Sequence, residues 1–172
     1  MKNPLYTVIL LGLSVVAANT LTAEAQKQAR LPIADDTNIV VHYTESVRPS
    51  SMGGIYPDGA SNDRRSSFSR VLKEAFTEAG LPVDVEVVRL GSRKSGDLDI
   101  TVNISTWELN SMGEYECRFS ATISNGEEKI DLGVFIGTFN ELTIHRGSDP
   151  KFTYDVAARK AVDKMVSLFI RA

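Results

Sequence analysis

Catalysis requires titratable groups that converge, and this sequence offers few of them. His42 and His145 are its two histidines and Cys117 its one thiol, so a Cys-His nucleophile pair is arithmetically possible. Cys117, however, falls on the apolar side of an alternating run, between Tyr115 and Phe119. There a thiol behaves as a small hydrophobe and stays inert. His42 falls on the polar side of another run, and His145 lies beside an Arg146-Gly147 turn. Asp97 with Asp99, and Glu114 with Glu116, are i, i+2 carboxylates. On a strand this spacing puts both on one face, as a paired acid and base require, but any solvent-facing strand shows the same spacing. Neither Asp35-Asp36 nor Asp97-Asp99 belongs to the Asp-x-Asp-x-Asp-Gly loop of a calcium hand. The Gly-x-Ser-x-Gly, His-Glu-x-x-His, Walker A and Gly-x-Gly-x-x-Gly motifs are absent. The sequence therefore assigns no catalytic residue, no metal and no cofactor.

Residues suited to contact are easier to find. The segment from Arg48 to Asn62 holds Pro49, Gly53, Gly54, Pro57 and Gly59 among several serines, a density of breakers that forbids a regular element. A loop of about 15 residues is long for a compact domain, and such loops are often functional. Met52, Ile55 and Tyr56 within it could form a contact patch. Trp107 breaks the polar side of its strand. Exposed, it would be a binding anchor, because amphipathic aromatics are enriched at contact sites; otherwise it covers the sheet edge beside Phe135 or Phe139. Met52, Ile55, Tyr56 and Trp107 are thus the candidate partner-binding residues.

The elements that must position them follow from periodicity. Ile39, Val41 and Tyr43 alternate with Val40, His42 and Thr44 in a first strand. Phe68, Val71, Leu72, Ala75, Phe76 and Ala79 recur at helical spacing, and Gly80 followed by Pro82 ends that helix. Residues 83–90 alternate as a second strand ending in a turn from Gly91 to Gly96. Leu98, Ile100, Val102 and Ile104 mark a third strand, and Tyr115 to Ile123 a fourth. Asn125-Gly126 suits a tight hairpin into a fifth strand from about Lys129 to Phe139, where Gly133 and Gly137 beside Phe135 and Phe139 suggest a bend or bulge. Asp149-Pro150 opens a last helix, with Tyr154, Ala158, Ala161, Val162, Met165 and Phe169 on one face to the C-terminus.

The order βαββββα predicts an α+β two-layer sandwich: a mixed, mostly antiparallel five-stranded sheet, one parallel crossover followed by a meander, with two helices on one face. Ahead of it, Lys2, the apolar run Leu5 to Ala18 and the small-residue site Ala23-Glu24-Ala25 read as a signal peptide over 1–25. That run is shorter than the roughly 20 residues a membrane-crossing helix needs, so no stable span is expected after cleavage. Residues 26–36 read as a flexible leader, and 37–172 as a single domain. Removing 25 of the 172 residues leaves the net charge at −3, since Lys2 and Glu24 go together. An acidic balance gives no reason to expect nucleic acid as a partner. With one cysteine there is no internal disulfide framework, which suits a bacterial periplasm.

In outline the chain resembles the small periplasmic α+β domains of Gram-negative envelope auxiliary proteins, several of them outer-membrane lipoproteins. The resemblance rests on Ile39 to Ser46 leading into the Ser/Gly-rich loop, on Val71 to Leu81, on Gly96 to Ile104 and on the helix Val156 to Ile170. It covers about 130 residues without a specific motif. The first residue after the expected cleavage is Gln26 rather than an acylation cysteine, so the lipid anchor does not carry over. The resemblance implies a periplasmic or secreted, non-enzymatic binding or assembly factor of the envelope whose partner is another envelope protein. The alternative is a small secreted hydrolase with an unrecognised site.

Overall fold

The structure, a computed structural model, describes residues 31–47, 60–124, 128–140 and 150–171. Among them run β1 (Leu31–Ile33), β2 (Asn38–Glu45), α1 (Ala60–Glu78), β3 (Asp84–Arg89), β4 (Leu98–Leu109), β5 (Glu114–Ser124), β6 (Lys129–Asn140), α2 (Pro150–Val166) and β7 (Phe169–Arg171). Strands β2 to β6 form one sheet in the order β3-β2-β4-β5-β6, and β1 with β7 makes a separate parallel pair. Strand β2 is parallel to both β3 and β4, while β4, β5 and β6 are antiparallel. Both helices pack against each other and on one face of the sheet. This is the α+β sandwich that the alternation implies.

The core follows from the two periodicities. Ile100, Val102 and Ile104 of β4 and Cys117, Phe119, Ala121 and Ile123 of β5 are buried under the helices. The matching stripe on α1, Phe68, Val71, Leu72, Ala75 and Phe76, is buried as well. Its four largest side chains contribute about 1.5–3 kcal/mol each before the entropy of ordering them is subtracted. Phe68 lies at the centre, with ring centroids 5.5 Å from Phe119, 5.7 Å from Tyr43 and 6.5 Å from Trp107. Helix α1 stops where the Leu81 amide donates back to the Phe76 carbonyl at 3.1 Å, a closure that needs Gly80 at φ 69°.

Four features depart from the sequence-based expectation. Order begins before Thr37: Leu31–Ile33 of the expected leader pair with Phe169–Arg171, and Ile33 is buried. The last helix stops at Val166 rather than at the C-terminus, and β7 takes over. A three-residue strand whose partner lies at the other end of the chain leaves no local signal. Strands β3 and β4 are not neighbours, because β2 lies between them and the meander starts one strand later. The connection from Leu90 to Asp97 is a strap across the outer face of β2, tied by Leu90 N–H to the Tyr43 carbonyl at 2.9 Å and Asp97 N–H to the Asn38 carbonyl at 2.9 Å. Gly96 lies so close that a Cβ there would meet the Asn38 carbonyl and come within 3.1 Å of Val40 Cγ2. Covered on both faces, β2 reads as the continuous run Ile39-Val40-Val41, all fully buried.

The fourth departure is Trp107. The β4–β5 register passes from Ile104↔Phe119 to Thr106↔Arg118, so Ser105 is a bulge and every later residue of β4 changes face. Trp107 therefore points into the core with no exposed surface, and its Nε1–H donates to the Tyr154 carbonyl of α2 at 3.2 Å. Buried there, it is not the exposed anchor the sequence suggests, and on a central strand it does not cover the sheet edge. A second bulge, where the β5–β6 register shifts opposite Gly133 at φ 91°, is the one anticipated in β6. The expected signal peptide, the Asn125-Gly126 hairpin and Asp149 lie outside the described residues.

Helix α2 presses closest to the sheet over Gly137. A Cβ at that position would collide with the Ala157 carbonyl and sit 2.5 Å from the Ala161 amide. Both obstacles are helix backbone and cannot swing aside. Gly137→Ala should therefore lower stability by about 1–3 kcal/mol in denaturant melts. An unchanged midpoint would show that α2 does not approach so closely.

Candidate functional site

Strands β2, β4 and β6 all end at one pole of the sandwich, β5 begins there, and α1 and α2 start from it. Three connections join these elements. Two of them, 48–59 and 141–149, lie outside the described residues, and with them Met52, Ile55, Tyr56 and His145. The third, 110–113, is described in full. Asn110 Oδ1 accepts from the amides of Met112 and Glu114, each at 2.9 Å, and Gly113 N–H donates to the Asn110 carbonyl at 3.0 Å with φ 77°. A side chain that mimics backbone in this way fixes the turn. Met112 is thereby displayed 75 % exposed from an ordered support.

Two further apolar side chains are exposed on elements that meet this pole. Leu109, at the end of β4, is 51 % exposed and Phe152, in the first turn of α2, is 53 % exposed. Tyr154, two residues after Phe152 and on the buried side of α2, has its hydroxyl hydrogen-bonded to the Leu109 backbone. Tyr154 meets Tyr115 edge-on at 4.8 Å. Burial first, then the nearby Tyr115 and Glu108, push the Tyr154 phenol up, so it stays neutral.

A charged pair joins the end of β2 to the start of α1. Arg64, 6 % exposed, grips Glu45 with two bonds of 2.9 and 2.7 Å, and the Tyr43 hydroxyl donates to the same carboxylate at 2.8 Å. Such a bidentate pair is strong and directional. It fastens the start of α1 to the end of β2. Burial, and then the Glu45 charge, push the Tyr43 phenol up, so it stays a neutral donor to that carboxylate.

Cys117 is fully buried, and its thiol is pushed up by burial and then by Glu116. His42 lies on the opposite face of the sheet, its Nε2 3.5 Å from Asp99. Asp97 Oδ2 accepts the Asn38 amide at 2.9 Å, and Asp99 accepts from the Ser95 hydroxyl at 2.6 Å and the Gly96 amide at 3.0 Å. This carboxylate pair ties down the strap over β2. Glu116 pairs with Arg118 at 3.0 Å, and Glu114 accepts from Asn110 Nδ2 at 3.3 Å. Among the described residues no group of three His, Cys, Asp or Glu side chains converges as a metal site would require, and no helix is long and apolar enough to cross a membrane. Sequence reasoning missed Leu109, Met112 and Phe152. A large apolar residue in a short Asn-Ser-Met-Gly turn was the available signal for Met112.

No known family model matches the chain, and no curated protein matches it. Its fold is similar to that of the PelC dodecamer from Paraburkholderia phytofirmans, at 12 % identity and TM-score 0.53, covering 81 % of this chain and 91 % of that one. It is likewise similar to a Xanthomonas campestris protein assigned to DUF330, at 12 % identity and TM-score 0.50, covering 78 % and 83 %. At that identity the likeness establishes the fold alone.

Two measurements check these assignments. The Cys117 thiol should resist an aromatic disulfide reagent in the native protein and react with one equivalent after denaturation; rapid native labelling would show an accessible thiol. For Asp99, burial pushes the carboxyl up, but the Ser95 hydroxyl, the Gly96 amide and His42 outweigh it and hold it below its usual value. A depressed folded value adds stability that is full above the unfolded value near ~4 and is lost as pH falls through the folded one. Asp99→Asn should thus be less stable than the parent at neutral pH and lose less on acidification. Parallel pH profiles would refute the assignment.

Proposed function

We propose that this chain is an exported, non-enzymatic binding or assembly protein of the bacterial cell envelope, periplasmic or secreted, which takes another envelope protein at the pole where β2, β4 and β6 end. The observation that carries the proposal is the display of Leu109, Met112 and Phe152 there, one of them on a turn ordered by Asn110. Several large apolar side chains exposed at one end of a fold are a recurring feature of contact sites. The 48–59 segment, which carries Met52, Ile55 and Tyr56 and joins β2 to α1 at this pole, is included in the proposed surface; α1 begins at Ala60, inside the stretch to Asn62 whose breakers suggested a loop. Two further points favour the reading: the signal-like start of the sequence, and the fold shared with a protein described as a dodecamer, in which copies of this kind of domain assemble.

The test is capture from crosslinked native envelopes with the tagged chain. Serine at Leu109, Met112 and Phe152, or at Met52, Ile55 and Tyr56, should abolish recovery of the partner while the melting temperature stays unchanged. Equal recovery by both triple variants would remove the pole from consideration.

A further inference from the structure

The two edges of the five-stranded sheet are finished differently. At the β6 edge, Lys164 Nζ donates to the Ile136 carbonyl at 2.7 Å and Lys160 Nζ to the Thr138 carbonyl at 3.0 Å. Lys160 also lies 5.3 Å over the Phe139 ring, which holds its ammonium in place. Two cations thus occupy the outward acceptors that an incoming strand would have to use, a familiar way of closing an edge.

The β3 edge has no such closure among the described residues. Asp84 N–H donates to the Thr37 carbonyl and Leu90 N–H to the Tyr43 carbonyl, so the even-numbered residues of this stretch face β2. Backbone alternation then turns the amide and carbonyl groups of Val85 and Val87 outward. No described strand pairs with them.

Beside this edge a groove of about 480 Å³ runs between α1 and β3, lined by Arg65, Ser69, Arg70, Lys73, Glu74 and Val87. Arg70 is committed to Glu74 at 3.2 Å and to Asp155 at 2.6 Å. Arg65 and Lys73 form no ion pair among the described residues, so the groove is positive in a chain of net charge −3. Arg65, Ser69 and Lys73 stand four residues apart along one stripe of α1. From Arg65 to Lys73 the helix rises about 12 Å. Side chains at i and i+4 of an extended strand are about 13 Å apart.

We propose that the β3 edge accepts an extended acidic segment of a partner protein as a sixth strand. Its backbone pairs with Val85 and Val87, and carboxylates at alternate positions reach Arg65 and Lys73. The open ladder supplies affinity through main-chain bonds and the basic stripe selects acidic side chains, as in other strand-addition sites. This surface uses none of the contact residues proposed at the pole and does not rest on the function proposed for them.

The test is fluorescence anisotropy of the full chain with a labelled heptapeptide, Thr-Glu-Thr-Glu-Thr-Glu-Thr. Binding should be measurable below about 1 mM and should weaken at least about tenfold in an Arg65→Glu/Lys73→Glu variant of unchanged melting temperature. A Thr-Lys counterpart should not bind. Two N-methylated peptides separate strand pairing from plain charge attraction. Methyl groups on the three glutamate amides face one side of the peptide, and those on the internal threonine amides face the other. Strand addition requires that one of the two lose binding while the other keeps it. Equal binding by both, no binding of the parent peptide, or a dimer of the isolated chain that the Val87→Pro variant dissolves, would each overturn the proposal.

Discussion

The indole of Trp107 is where sheet, first helix and second helix are held to one another. Its ring packs 6.5 Å from Phe68 of α1, and its N–H meets the Tyr154 carbonyl in the first turn of α2. A buried indole without an acceptor would cost about 1–3 kcal/mol, so the fold must bring a free helix carbonyl to this point. Carbonyls of the first helical turn are bonded within the helix but keep a second lone pair for such a donor. The bulge at Ser105 makes the meeting possible, because without the extra residue Trp107 would face solvent and α2 would lose its seat.

The rest of α2 follows from that seat. Below Tyr154, Ala157, Ala158 and Ala161 are fully buried, and Gly137 lets the backbone of the helix come against that of β6. Small residues on both sides bring the layers together without leaving a cavity. The close approach carries Lys160 and Lys164 to the edge of β6, so tight packing and edge closure share one geometric cause. On the outer face, the strap from Leu90 to Asp97 plays a comparable part for β2, covering Val40 and holding Asp99 beside His42.

Much of this could be read from residue order, and the failures have identifiable causes. Strands β3 to β6 and both helices announce themselves by alternation or by helical spacing, because each buries mainly one face, while β2, buried on both, stands out by its β-branched run Ile39-Val40-Val41. Parity counting placed Trp107 on the wrong face because it assumes no bulge, and nothing about Ser105 alone marks the extra residue. The β1–β7 pair was invisible because its partners are separated by nearly the whole chain. Gly91 to Gly96 looked like a turn, since glycine signals close backbone approach as readily as it signals reversal. Of the contact surface, the loop around Met52, Ile55 and Tyr56 stood out by composition. Leu109 and Phe152 did not: Leu109 falls off the even-numbered apolar positions of its strand, Phe152 falls off the stripe that starts at Tyr154, and isolated apolar residues of that kind carry no signal.

The parallel clasp of β1 on β7 gives the molecule a direction. The Phe169 ring lies tilted 5.5 Å from that of Phe76 near the end of α1, so the clasp lies at the opposite extremity from Leu109, Met112 and Phe152. A tether attached upstream of Leu31 would hold the protein by its base, with the Met112 turn facing outward into whatever medium surrounds it.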